Sequence, residues 1–173
     1  MSREKGNIIL IGMPASGKST AGVVLAKILG MDFIDADIII QRKEGARLTD
    51  IIEKSGVDEF LKREEKALLS IDVTNTVIAT GGSAVYSDAA MKHLADGSNV
   101  VYLKVSLHEL RNRLKDIKER GVVLRDDETL EGIFKNRSEL YEKYADITVL
   151  EECSSIEDTV SLIIDGLTSK SRT

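Results

Sequence analysis

Two short stretches carry residue types at spacings that can do chemistry. The first is "GMPASGKST", residues 12–20, which fits the pattern G-x-x-x-x-G-K-[ST]. Glycines let such a loop curl until successive backbone N–H groups point inward, and a helix that follows adds its positive end, so the segment is suited to hold phosphate oxygens. Gly12, Ala15, Ser16, Gly17 and Thr20 form the cradle, Lys18 would reach the β- and γ-phosphates of a nucleotide, and the Ser19 hydroxyl would ligate Mg²⁺. An ordinary glycine-rich turn would not need Lys-Ser directly after its last glycine.

The second stretch is "FIDADIII", residues 33–40, where Asp35 and Asp37 interrupt an apolar run. A buried carboxylate is costly unless it is paired or binds a metal. A bound nucleotide supplies the cation. Asp35 is placed to hold Mg²⁺ through a water, since this ion keeps several of its waters. Asp37 lies further out, toward whatever accepts the phosphoryl group, where it could take the proton of an attacking hydroxyl or simply orient it. The competing reading makes both residues helix-capping carboxylates ahead of "IIIQRKEG".

These groups need elements to position them. "NIILIG" reads as a strand, and "GKSTAGVVLAKILG" as a helix stopped at Gly30. "DFID" is a second strand, and "RLTDIIEKSGVDEFLKREEKALLSI" reads as two helices hinged at Ser55 and Gly56. "TVIATGG", "NVVYLKV" and "DITVL" supply three more strands, separated by helices at "SDAAMKHLAD", at residues 107–115 and at "LEGIFKNRSELYEKYA". "SIEDTVSLIIDGL" closes as an amphipathic helix before a polar tail at 168–173. Residues 116–129, dense in charge and broken by a glycine, read as a mobile surface loop, the segment that the family resemblance named below makes a lid. Alternating strands and helices predict an α/β fold, one domain over 1–173, with a five-stranded parallel sheet flanked by helices. Ligands of such sheets bind outside the carboxyl ends of the strands, so "GMPASGKS", "DAD" and "TGGS" should meet at one end.

A chain of 173 residues with 42% hydrophobic and 31% charged residues can bury its own core. Its net charge of −5 offers no general attraction for nucleic acid or anionic lipid, so a bound anion needs a local site. Cys153 is a lone cysteine, which fits a reducing compartment, and the apolar run near the N-terminus is too short to span a membrane. These features point to a cytoplasmic protein, a monomer by default, with a small-molecule partner.

Taken together, "GMPASGKST", "FIDAD", "ATGGSAV" and "NRSELYEKYAD" resemble the shikimate kinases, small kinases with the P-loop fold, from residue 7 to about 167. The resemblance implies ATP-dependent phosphoryl transfer to a hydroxyl of a small acid, with shikimate as first candidate. It implies that Lys18 and Ser19 bind phosphate and Mg²⁺, that Asp35 supports the metal, and that Asp37 contacts the acceptor hydroxyls. Gly81 and Gly82 would offer backbone N–H groups to the acceptor, Arg137 would pair with its carboxylate, Arg120 in the lid would cover the transferring phosphoryl, and Arg113 would stack on adenine.

Three positions depart from the family pattern. Leu61 stands where the family has a carboxylate-binding arginine, and the adjacent Lys62 and Arg63 are rotated off that helix face. A charged hydrogen bond is worth about 1.5 to 3 kcal/mol, so the loss would cost roughly ten- to a hundredfold in affinity for that acceptor. Ser83 replaces the third glycine of a triple, which would narrow or repolarise the pocket. Gly121 replaces a proline after Arg120, and Arg125 competes with Arg120 for the phosphate-covering role. Homoserine, gluconate or a nucleoside are alternative acceptors, and a nucleotide-binding module without catalysis is an alternative of another class. Outside the resemblance, "KREEK" reads as an exposed, mixed-charge face and Arg137 as a solvated helix residue.

Overall fold

The computed structural model describes residues 6–114, 122–151 and 155–171. Five strands, β1 (Asn7–Ile11), β2 (Asp32–Asp35), β3 (Thr76–Ala79), β4 (Ser98–Lys104) and β5 (Ile147–Leu150), form one sheet in the order β2-β3-β1-β4-β5. Every neighbouring pair is parallel. The helices are α1 (Lys18–Leu29), α2 (Ala36–Glu44), α3 (Leu48–Leu69), α4 (Asp88–Ala95), α5 (Leu107–Arg113), α6 (Leu130–Tyr144) and α7 (Ile156–Lys170).

Strand periodicity sorts the core into two layers. Ile8 and Leu10 of β1 face Leu25 of α1 and Ile163 of α7, while Ile9 and Ile11 face the side of Leu68, Met91 and Tyr141. The central strands β1 and β3 are buried along their whole length, as expected for a parallel sheet covered on both faces. A smaller cluster of Ile40, Ile51, Phe60, Ala67 and Val123 lies beneath α2 and α3.

The sheet matches the sequence reading, and the differences lie in the connections. The expected pair of helices at 48–69 is α3, with Gly56 at φ 78 breaking the helical geometry at the expected hinge. That backbone conformation suits glycine. α7 runs to Lys170, into the segment read as a polar tail. Of the expected lid, 116–121 lies outside the described residues, and Arg120 and Gly121 with it, as does Cys153. Val122 and Val123 are buried, which ties the segment to the core there, while 125–127 are exposed. No helix among the described residues is long and apolar enough to cross a membrane.

Candidate active site

The loop between β1 and α1 is shaped by backbone constraints. Gly12 has φ 149, and a Cβ there would sit 2.6 Å from the Leu103 carbonyl oxygen of β4, so only glycine fits against that strand. Ala15 (φ 61) and Gly17 (φ 84) both take the left-handed conformation that tightens the curl. Gly17 caps α1 without a side-chain hydrogen bond, and no acidic residue occupies the first turn. The free N–H groups and the helix dipole there suit an anion. Lys18 folds over the loop, its Nζ 2.8 Å from the carbonyls of Gly12 and Met13 and 3.3 Å from Ser16 Oγ. Burial pushes its pKa down to about 8, against the pull of the Asp37 and Asp35 carboxylates.

At the end of β2 the capping reading of the carboxylate pair holds for Asp35. Its Oδ1 accepts from the Asp37 backbone N–H at 3.0 Å and caps α2, while Oδ2 accepts from the Ser19 hydroxyl at 2.6 Å. Ser19 and Asp35 thus meet as a pair of hard oxygen donors next to the phosphate loop. That fits Mg²⁺, which is commonly bound by one or two protein groups plus phosphates and water. Asp37 has no capping role: it lines the cavity, and burial together with the Asp35 charge pushes its pKa up to about 6, opposed by Lys18.

The cavity, about 520 Å³, opens at the carboxyl ends of β1, β2 and β3. "GMPASGKS", "DAD" and "TGGS" do meet there. A Cβ on Gly81 would stand 2.5 Å from Glu64 Oε1 and 2.9 Å from Asp37 Oδ1, and one on Gly82 would stand 2.6 Å from Pro14 Cδ. The two glycines therefore let the acceptor-side loop close against both carboxylates and the phosphate loop. Tyr141, fully buried on α6, fixes that loop by donating its hydroxyl to the Gly82 carbonyl at 2.6 Å.

Arg137 is not solvated: it is 1% exposed and lines the cavity. Its Nε donates to the Tyr86 hydroxyl at 3.0 Å and its Nη2 to the Val123 carbonyl at 2.7 Å, while Nη1 has no hydrogen-bond partner among the described residues. Arg113 also borders the cavity, held by Glu109 at 2.7 Å and by buried Glu151 at 3.1 Å, and it donates to the Ala15 carbonyl at 3.2 Å. Arg125 pairs with Asp58 at 2.7 Å on the surface and does not line the cavity.

The residues that sequence reasoning missed are Glu64, Tyr86, Tyr141 and Glu151. Glu64 sits inside "KREEK", the stretch read as an exposed face, yet it is 2% exposed. Phe60, Ala67 and Leu68 are buried on the same helix, and Glu64 falls on that apolar face. That spacing was the available signal.

A family model described as shikimate kinase matches residues 14–168. The chain belongs to the shikimate kinase family. It is 37% identical over 167 residues to the shikimate kinase of Haemophilus influenzae (strain ATCC 51907 / DSM 11121 / KW20 / Rd), covering 94% of this chain and 92% of that protein. The solved shikimate kinase from Acinetobacter baumannii, in complex with shikimate, superposes with a TM-score of 0.86 at 31% identity, covering 95% of this chain and 94% of that one. The shikimate kinase of Aquifex aeolicus gives 0.81 at 32% identity, covering 95% of this chain and 98% of that one. The chain is therefore a small-molecule kinase, and its family uses ATP with Mg²⁺ as the phosphoryl donor.

Within this family frame, the departures on the acceptor side have a structural account. Leu61 lines a side cavity of about 160 Å³ that shares Glu64 and Ser83 with the main one. Arg63 turns away to pair with Glu44 at 2.5 Å, and Lys62, exposed near Glu59, borders the side cavity with Leu61. Ser83 is buried, with its hydroxyl donated to Glu64 Oε2 at 2.6 Å.

Proposed function

We propose that this chain phosphorylates shikimate on a hydroxyl, with ATP as donor. The observation that supports it best is the buried Arg137 guanidinium, whose Nη1 is left without a partner among the described residues and which lines the same cavity as Asp37. A buried cation with an unused donor favours an anionic oxygen, and a carboxylate meets a guanidinium with good geometry. Asp37, Arg137, Gly81 and Gly82 then address an acceptor that carries both a carboxylate and hydroxyls. The Acinetobacter relative was solved with shikimate, which favours the same acceptor here.

In this reading the N–H groups of residues 12–20 and Lys18 hold the phosphates and neutralise charge that builds up during transfer. Ser19 and Asp35 hold Mg²⁺, which when bound supplies further charge neutralisation. Asp37 orients the acceptor hydroxyl and takes its proton. Arg120 covers the transferring group, since Arg125 is engaged with Asp58. Arg113, clasped by Glu109 and Glu151, steadies the loop at Ala15 and borders the adenine side. A cytoplasmic monomer with no nucleic-acid partner completes the reading, on the grounds of the net charge of −5 and the lone cysteine.

The test is Mg²⁺-dependent ATP turnover by the purified protein with shikimate, homoserine, gluconate or nucleosides at equal concentration. Turnover with shikimate far above the others is expected. A different preferred acceptor, or none, overturns the assignment.

A further inference from the structure

The buried guanidinium of Arg137 leans on one aromatic side chain in two ways. Its Nε donates to the Tyr86 hydroxyl at 3.0 Å, and its Cζ lies 5.1 Å from the centroid of the Tyr86 ring. On another nitrogen, Nη2 donates to the Val123 carbonyl at 2.7 Å. Anchors at Nε and Nη2 fix a planar group both in its plane and about its long axis. Nη1 is then the nitrogen left over, without a partner among the described residues.

Tyr86 is itself held by backbone. It ends the short turn Ala84–Tyr86, its N–H donating to the Ser83 carbonyl at 3.0 Å, and the next residue, Ser87, caps α4 by accepting the Ala90 N–H at 3.0 Å. The ring is 40% exposed, so exchange of Tyr86 for Phe disturbs little packing. Tyr86 does not line the main cavity; it borders the side cavity, where Leu61 of α3 contributes only hydrocarbon. With Leu61 uncharged and Arg63 paired to Glu44, the grip on an acceptor carboxylate depends on how well Arg137 is aimed.

We propose that Tyr86 is a positioning residue for Arg137: its hydroxyl and ring hold the guanidinium so that Nη1 meets an oxygen of the acceptor carboxylate. The inference rests on the acceptor reading given above. Order that is in place before binding lowers the cost of binding. Without the hydroxyl, the buried Nε–H loses its acceptor, and the guanidinium turns to recover one at the expense of the aim of Nη1.

The experiment measures kcat and the KM values for shikimate and for Mg-ATP in the wild type, Tyr86→Phe, Arg137→Lys and the double variant. Tyr86→Phe keeps the ring and loses the hydroxyl. Its KM for shikimate should rise roughly five- to tenfold, with kcat and the KM for ATP within about twofold of the wild type. Arg137→Lys has no Nε–H and no fork to orient, so adding Tyr86→Phe to it should change the shikimate KM by less than about twofold. A Tyr86→Phe KM equal to that of the wild type overturns the inference. The same fold-change in both backgrounds also overturns it, because Tyr86 would then not act through Arg137. A fall in kcat with a rise in both KM values marks a merely structural role and overturns it as well. A wild type that turns over no shikimate removes the acceptor reading and this inference with it, an outcome distinct from an active wild type matched by Tyr86→Phe.

Discussion

The two halves of the cavity are built in opposite ways. The phosphate half is backbone: its shape comes from Gly12, Ala15 and Gly17, and its Lys18 already has three oxygen partners. The acceptor half is side chain: Arg137 and Glu64 each keep a buried polar atom without a partner among the described residues. A backbone cradle holds any phosphate and needs little from the rest of the fold. Orphaned buried atoms are costly until a partner meets them, so in the proposed reading the acceptor half stores its selectivity as incomplete hydrogen bonding.

Substitutions can break this contrast, and the largest effect belongs to the phosphate half. Lys18→Met should lower kcat by about a thousandfold, the scale seen when a donor to developing charge is lost, and steady-state turnover will show it. If kcat survives, the backbone alone carries that half. Arg137→Lys keeps the charge but loses the planar fork, so the KM for the acceptor should rise roughly ten- to a hundredfold, while that for ATP stays within about twofold. Equal movement of both constants would erase the division between halves.

Gly82→Ala probes the seam, because the new Cβ would press on Pro14 of the phosphate loop. Both KM values should then rise by a few fold, with a stability loss of about 1–3 kcal/mol measurable by denaturant unfolding. The smallest effect concerns stability and pH. The folded-state pKa of Glu64 is raised to about 7 from an ordinary 4.5, so the folded state holds its proton longer and stability falls as pH rises between those values. Glu64→Gln removes that loss. Its melting temperature should gain on the wild type by roughly 10 °C between pH 4.5 and pH 8, and a constant offset would count against a buried, titrating Glu64.

Much of the fold was legible along the chain because its signals are local. Strand and helix periods, the stop at Gly30 and the hinge at Gly56 each lie within a few residues of what they control. The phosphate loop was legible for the same reason, whereas the hydrogen bond between Ser19 and Asp35 came from the structure. Arg137 was readable only through family resemblance, since its helical surroundings look solvated. Glu64 was misread because "KREEK" has the composition of a surface, and composition does not say which turn of a helix faces the core.

The sequence by itself determined the sheet, the phosphate loop and the identity of the carboxylates near it, since these depend on backbone conformation and hydrogen bonding over short stretches. Only the tertiary structure decided the acceptor half. Glu64 meets Ser83 across 19 positions, Arg137 meets Tyr86 across 51, and Tyr141 meets Gly82 across 59. Burial and the low dielectric that follows from it arise when those elements pack, and they turn an ordinary glutamate and arginine into groups with altered proton affinity or unmet hydrogen bonds.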